Sequence, residues 1–161
     1  MEILEVKQVN DALAEMVALF RVELRSYKGI TSKPNIEAGR EEMEEYLSAK
    51  FPVYAALVDG EYAGYVVCRV DSEVVWVESI FVKEEYRRHG VATALHSKAE
   101  EIAASCGDDT VYNYVHPNNH RMIEFLRKRG YTVLNLIEIR KPHKDEKLTQ
   151  TIAVGEHEFD Y

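Results

Sequence analysis

Apolar residues in the first fifty positions recur at the spacing of an amphipathic helix. Steps of three and four residues place one stripe on a single helical face, formed by Leu13, Val17, Phe20 and Leu24. Asn10 or Asp11 can cap this helix, which the pattern extends to about Tyr27. A second helix is predicted to end near Lys50. Its expected buried side consists of Ile36, Met43, Tyr46 and Leu47.

Shorter apolar runs then predict strands. Asp59-Gly60 separates two of them and favours a two-residue hairpin turn. Predicted strands span residues 3–6, 53–58, 62–70, 74–82, 110–116, 131–140 and 149–154, and two further helices span residues 91–105 and 119–129. Gly155-Glu156 can turn the last strand back towards Tyr161. The order β-α-α-β-β-β-α-β-α-β-β predicts a mixed α/β sheet in a single domain covering residues 1–161.

The overall charge narrows the choice of partners. The chain has 161 residues and a formal net charge of −8. Nucleic acid is not an expected partner, since such binding depends on a basic surface that neutralises phosphates. An acidic surface instead attracts amines and basic peptides, although acidity also serves solubility alone. The glutamates of the second predicted helix are interpreted mostly as a solvated face: Glu37, Glu41, Glu42, Glu44 and Glu45.

The sequence shows no targeting segment and no metal-binding motif. No stretch approaches the roughly 20 apolar residues of a membrane span, so no membrane partner is expected. The first residues lack the basic start and apolar stretch of a signal peptide, which predicts a cytoplasmic protein. Cys68 and Cys106 do not have metal-ligand spacing, so no metal is expected. Cys68 lies in an apolar strand pattern and is expected in the core.

The most informative segment joins a strand to a helix through a charged turn. After the predicted strand at residues 74–82, the chain reads Arg87-Arg88-His89-Gly90-Val91-Ala92 and enters a helix. A helix N-terminus presents unpaired N–H groups and about half a positive charge, which suits a diphosphate. Gly90 lets the backbone approach a ligand closely. The alternative is a strand-to-helix turn in which Gly90 relieves crowding and the arginines are solvated.

A second segment has the pattern strand, turn, helix, glycine, strand. Its helix can begin at Asn118 or Asn119 and end at Gly130. Together the two segments resemble the GNAT superfamily of acetyl-CoA-dependent N-acetyltransferases. Arg87-x-x-Gly90-x-Ala92 resembles the pyrophosphate loop of that family, Arg/Gln-x-x-Gly-x-Gly/Ala. The later family motif is matched at Val115, Asn119, Met122, Gly130 and Tyr131.

The resemblance implies a fold, a reaction and a set of contacts. The fold is a GNAT-like α/β fold with a central, mostly antiparallel, splayed sheet flanked by helices. The reaction is direct acetyl transfer from acetyl-CoA, as co-substrate, to a primary amine of a small molecule or a peptide, with no metal. The pantetheine arm is expected to contact Ile80, Phe81, Val82 and Asn119. The expected diphosphate contacts are Arg87, Arg88, His89, Gly90, Val91, Ala92 and Thr93.

Acetyl transfer to an amine needs a base and an acid. An alkyl ammonium has a pKa near 10.4, so its free amine costs roughly 4–5 kcal/mol at pH 7. Glu78 is the candidate base, because a carboxylate in an apolar strand is costly to bury without a purpose. The alternative is that Glu78 faces solvent or pairs with a lysine or arginine. The family usually carries its acid tyrosine where this chain has Leu126, so Tyr114 becomes the candidate, with Tyr112 and Tyr131 as alternatives.

Three interpretations of function follow. The first is an N-acetyltransferase whose acceptor lies against the first helical pair, the loop at residues 27–34 and the final strands. The second is a non-catalytic CoA-binding sensor or interaction module, which Leu126 favours and Glu78 opposes. The third is an interaction domain in which both motifs are accidental. A strand-pairing homodimer is common among the relatives, and no pattern in this chain requires one.

Overall fold

The computed structural model describes residues 1–161 as two units, residues 1–114 and residues 115–161. None of its helices combines the length and apolar character needed to cross a membrane. The first unit contains β1 (Glu2–Glu5), α1 (Asp11–Ser26), α2 (Ile36–Ser48), β2 (Val53–Val58), β3 (Glu61–Asp71), β4 (Val74–Val82), a 3-10 turn (Glu84–Tyr86), α3 (Val91–Cys106) and β5 (Tyr112–Asn113). The second unit contains α4 (His120–Lys128), β6 (Thr151–Val154) and β7 (His157–Asp160).

The first unit is built on a five-stranded sheet in the order β1-β2-β3-β4-β5. The first four strands pair antiparallel, and β5 pairs parallel to β4. One face packs against α1 and α2 through a core that includes Leu13, Met16, Tyr65 and Phe81. The other face meets α3. A mixed α/β sheet flanked by helices is the fold class that the sequence predicted, and that prediction is confirmed.

Helices α1 and α2 pack with almost no space between their backbones. A side-chain carbon at Gly39 would lie 2.3 Å from the carbonyl oxygen of Ala14 and 2.9 Å from the amide nitrogen of Ala18. Only glycine permits this approach. Both helices begin at asparagines whose side chains accept a backbone hydrogen bond, Asn10 from Leu13 at 2.9 Å and Asn35 from Ala38 at 3.0 Å.

The second unit is smaller and contains a helix and a hairpin. Strands β6 and β7 pair antiparallel around Gly155, as the sequence predicted. Helix α4 begins after Asn119, whose Oδ1 accepts a hydrogen bond from the amide of Met122 at 3.1 Å. Leu126, which stands at the position of the usual family tyrosine, is buried on this helix.

Three predictions about these elements are wrong. Residues 131–140 form no strand, because β propensity is realised only when a neighbouring strand supplies hydrogen bonds, and β6 and β7 pair only with each other. The strand expected at residues 110–116 is reduced to Tyr112–Asn113, where the side chain of Asn113 bonds the carbonyl of Val111 at 3.1 Å. Ile36 was expected on the buried side of α2 but is 48% exposed. It is the first residue of α2 and lies before the point at Gly39 where α1 and α2 come together.

Candidate active site

Strand β4 has one edge that is paired for only part of its length. Along β5 the pairing is limited to Trp76 with Tyr112 and Val77 with Asn113. From Glu78 onwards no strand pairs with this edge. The sheet therefore offers an open strand edge at the end of β4, and an extended ligand can bond to such an edge as an added strand.

The direction of the β4 backbone decides which groups face the open edge. The amide of Lys83 donates to the carbonyl of Ala63 on β3 at 2.9 Å. Backbone groups alternate along an antiparallel pair, so those of Phe81 also face β3. Those of Ile80 and Val82 consequently face the open edge. Among the three predicted pantetheine contacts, Ile80 and Val82 present backbone groups to this edge, and the ring of Phe81 packs in the core.

The turn that follows β4 has free backbone donors. No amide from residue 88 to residue 93 donates to another backbone group, and no side chain caps the start of α3. φ is +66° at Arg88 and +81° at Gly90, and it is not positive at His89 between them. Alternation of this kind turns neighbouring amides towards one concave side that binds anions. We call residues 88–93 the amide turn.

Most of the amide turn lies open on the surface. Arg88, His89, Gly90 and Thr93 are exposed, and only Val91 is buried. A left-handed conformation costs a residue other than glycine roughly 1–2 kcal/mol, so Arg88 holds a strained position. Residues 88–93 line neither of the two clefts described below. The turn is thus an exposed surface of hydrogen-bond donors, which a phosphate group can reach from solvent.

The two arginines of the motif have different surroundings. The Nε atom of Arg87 donates to the carbonyl of Val82 at 2.9 Å. Its Nη2 atom lies 3.3 Å from a carboxylate oxygen of Glu23 on α1. Arg87 therefore fastens the turn to α1 and β4. Arg88 makes no ion pair within the protein and is the arginine that remains available to an anion.

Glu78 occupies an irregular position in β4. Val67 of β3 pairs with Ser79 and the next residue, Cys68, pairs with Val77. Glu78 is therefore the extra residue of a β-bulge, a feature that bends a strand and redirects a side chain. Sequence alternation alone does not reveal such an insertion.

A single guanidinium brings both predicted catalytic side chains together. Arg69 of β3 donates from Nε to Oε2 of Glu78 at 3.2 Å, and from Nη2 to the hydroxyl of Tyr114 at 3.5 Å. Its guanidinium carbon lies 4.2 Å from the centre of the Trp76 ring. Glu78 thus has an arginine partner, as the alternative interpretation proposed. Its second oxygen, Oε1, makes no hydrogen bond within the protein and can accept a proton.

A polar pair lies next to this cluster in the buried face of the sheet. The hydroxyl of Tyr65 and Oγ of Ser79 are 2.8 Å apart, and both residues are buried. Burial raises the pKa of Tyr65 far above its ordinary value, so this hydroxyl stays neutral. The pair satisfies two polar groups within the core without introducing a charge.

Glu42 is the exception among the glutamates of α2, because Glu37, Glu41, Glu44 and Glu45 are exposed as the sequence predicted. Glu42 bonds both Nε and Nη2 of Arg21, the former at 2.6 Å, and accepts from the hydroxyl of Tyr46 at 2.7 Å. Its side chain is 18% exposed. Burial, followed by the hydrogen bond to Glu42, raises the pKa of Tyr46, and the charge of Glu78 adds to this effect. A second carboxylate therefore lies near the same face of the sheet, and no sequence pattern indicates its pairing with Arg21.

Two clefts lie on the first unit. The larger, of about 500 Å³, runs between α1 and α2 and is lined by Ala18, Arg21, Arg25, Lys33, Asn35, Ala38, Gly39 and Glu42. The second, of about 420 Å³, lies between α1 and the end of β4 and is lined by Glu15, Leu19, Val22, Glu23, Ser26, Phe81, Lys83, Glu84, Glu85 and Arg87. The acceptor was expected against the first helical pair; α1 lines both clefts, and α2 lines only the larger one.

The comparison with known proteins supplies the family. Residues 16–131 match the model of the acetyltransferase (GNAT) family. The chain belongs to the GNAT family. The resemblance predicted from the two sequence motifs is confirmed. An uncharacterized N-acetyltransferase of Methanocaldococcus jannaschii is 33% identical over 81 residues. That match covers 46% of this chain and 36% of the relative, so it spans about a third of the relative's length.

Solved structures support the GNAT fold over most of the chain. The aminoglycoside 6'-N-acetyltransferase AAC(6')-Ig of Acinetobacter haemolyticus has 21% identity and a TM-score of 0.65, covering 90% of this chain and 100% of that one. PaiA N-acetyltransferase of Thermoplasma acidophilum, solved with coenzyme A, has 20% identity and a TM-score of 0.63, covering 80% and 89%. At these identities the similarity establishes the fold.

The residues of this GNAT chain suit acetyl-CoA in two respects. The amide turn supplies unpaired donors of the kind that a diphosphate accepts from, and Arg88 adds a charge. The open edge of β4 supplies the backbone groups of Ile80 and the amide of Val82, which suit the amides of a pantetheine arm, whereas the carbonyl of Val82 is already bonded to Arg87. Within the second unit, the predicted pantetheine contact Asn119 uses its side-chain oxygen to cap α4, so only its amide nitrogen is left to donate.

Proposed function

We propose that this chain transfers the acetyl group of acetyl-CoA to the primary amine of a small molecule. The observation that carries the proposal is that, within the first unit, the open β4 edge is followed along the chain by the amide turn, with only the short 3-10 turn between them. One ligand can use both only if it combines an extended amide-containing arm with a diphosphate. The named aminoglycoside acetyltransferases among the structural neighbours support a small amine over a protein as acceptor.

Acetyl-CoA, when bound, supplies an acetyl group activated as a thioester. The protein must hold that group beside the acceptor and remove a proton from the attacking nitrogen. Glu78 is the proposed base, with Oε1 accepting the proton while Oε2 stays bonded to Arg69. A positioned base of this kind contributes roughly 10²–10⁴ in rate. Tyr114, whose hydroxyl lies 3.5 Å from Nη2 of the same guanidinium, is the proposed proton donor for the departing sulfur.

Acceptor specificity is assigned to the helical pair. The amine approaches from the side of α1 and α2, where the two clefts lie. The acidic net charge favours the arrival of a cationic amine over an anionic one. A cytoplasmic location agrees with a supply of acetyl-CoA and forms part of the proposal.

The test measures acetyl-CoA-dependent thiol release and acetylated product with a panel of aminoglycosides, polyamines and lysine peptides. Glu78→Gln should lower kcat about 100-fold and leave the Kd of acetyl-CoA unchanged. Glu73→Gln, the same change at an exposed carboxylate in the β3–β4 turn, should leave both values unchanged. Absence of product with every amine, despite acetyl-CoA binding, would favour a binding module. Unchanged turnover in Glu78→Gln would remove Glu78 from the mechanism.

A further inference from the structure

We propose that Arg69 is a positioning residue for acetyl transfer, which acts by holding the carboxylate of Glu78 at the β4 bulge. This inference rests on the proposed function and adds a residue to which the sequence analysis assigned no role. Arg69 is itself half-buried on β3, and its register partner on β4 is Trp76. Glu78 follows Trp76 by two residues, so strand alternation places both side chains on the face where Arg69 lies.

The geometry fixes the guanidinium from three directions. The ring of Trp76 lies against its face at 4.2 Å, Glu78 accepts from Nε at 3.2 Å, and the hydroxyl of Tyr114 is 3.5 Å from Nη2. A guanidinium is planar and carries several donors in a rigid fork, so it can stack and donate at the same time. A lysine ammonium has no such plane. The arrangement therefore requires arginine in particular.

Stability is a weak explanation for this cluster. The side chains of Arg69 and Glu78 are each 31% exposed. Ion pairs of this kind contribute little to stability, and an exposed cation–π contact adds about as little. The carboxylate meanwhile sits in a bulge, a feature that redirects a side chain and is over-represented next to active sites. An orienting partner then holds the redirected carboxylate in one direction.

The consequence is that Oε2 of Glu78 is held by a hydrogen bond from Arg69, while Oε1 is left to face the acceptor amine. Because Oε2 is bonded to Arg69, the carboxylate cannot rotate freely. Oε1 therefore stays oriented to accept the proton of the amine. Loss of Arg69 should leave the carboxylate present but free to rotate. A misplacement of about 1 Å in a reacting group can cost up to roughly 100-fold in rate, so a loss of about tenfold is expected here.

The experiment is a double-mutant cycle on kcat, using wild type, Arg69→Met, Glu78→Gln and the double variant, with acetyl-CoA and the best amine of the panel. Arg69→Met should lower kcat about tenfold with the KM values of both substrates unchanged. In the Glu78→Gln background it should cause no further loss, because its target is already absent. Arg69→Lys should recover less than half of the lost rate.

Two controls separate positioning from folding. Thermal unfolding of Arg69→Met should remain close to that of wild type. Arg40→Met removes another partly exposed arginine from an ion pair, with Asp11, and should leave kcat unchanged.

Three outcomes would overturn the role of Arg69: an unchanged kcat in Arg69→Met, a full tenfold loss on adding Arg69→Met to the Glu78→Gln background, or a wild-type kcat in Glu78→Gln alone. The second of these leaves the proposed acetyl transfer intact. The proposed function fails separately, if wild-type protein yields no acetylated product.

Discussion

Gly90 offers the sharpest test of how the amide turn binds its ligand. Gly90→Glu adds a side chain and a negative charge at the middle of the turn. The position has φ of +81°, and a side-chain carbon built there has no neighbour within 4 Å. The variant should therefore fold, with a cost of roughly 1–2 kcal/mol for a left-handed residue other than glycine. Any larger effect on ligand binding then comes from the added group itself.

The size of that effect follows from the charge. A carboxylate about 4 Å from one phosphate charge is repelled by roughly 4 kcal/mol at the effective dielectric constant of a protein surface. That energy corresponds to about 1,000-fold in Kd, and salt screening reduces it. We expect the Kd for CoA to rise at least 100-fold.

Gly60 supplies a matched control. It has φ of +86°, also has no neighbour within 4 Å of a built side-chain carbon, and lies in the β2–β3 hairpin. Gly60→Glu therefore carries the same strain and the same charge at a site distant in sequence from the turn. Calorimetric titration with CoA should give a wild-type Kd for Gly60→Glu and a greatly weakened one for Gly90→Glu. Equal affinities in the two variants would refute the assignment of the turn.

Three further predictions concern packing and individual side chains. Gly39→Ala should lower the free energy of unfolding by about 1–3 kcal/mol in a denaturant titration, because backbone atoms of α1 would have to move; wild-type stability would contradict the close approach. Arg87→Met should lower stability by about 1–3 kcal/mol, whereas Arg88→Met should weaken CoA binding at unchanged stability, and the reverse pattern would reassign the two. Burial raises the pKa of Cys68 to about 12, so little of it is thiolate at pH 8. Only Cys106 should therefore react quickly with a thiol reagent. Rapid reaction of both cysteines would contradict this prediction.

Much of the fold could be predicted from local sequence patterns. The stripe on α1, the caps at Asn10 and Asn119, and the Asp59-Gly60 turn depend on neighbours within a few residues, and the structure has each of them. The amide turn was equally readable, since its glycine and its helix lie side by side in sequence. Residues 131–140 were misassigned because their strand-like composition cannot show whether a partner strand is present.

The candidate site needed information that no local pattern holds. Arg69 reaches Glu78 because of the β3–β4 register and the bulge, which shifts that register by one residue. The turn between β3 and β4 indicates part of this arrangement, because counting the strand register back from the turn places Arg69 opposite Trp76. Glu42 is different, since its partner Arg21 lies on another helix and only the packing of α1 against α2 brings them together.

The central claim is that the amides of residues 88–93 hold the diphosphate of acetyl-CoA. The most direct measurement is an amide-resolved NMR titration of ¹⁵N-labelled protein with CoA. We predict that the signals of residues 88–93 and of Ile80 and Val82 shift most, and saturate at the Kd found by calorimetry. Saturable binding of CoA that leaves those signals unmoved would contradict the account.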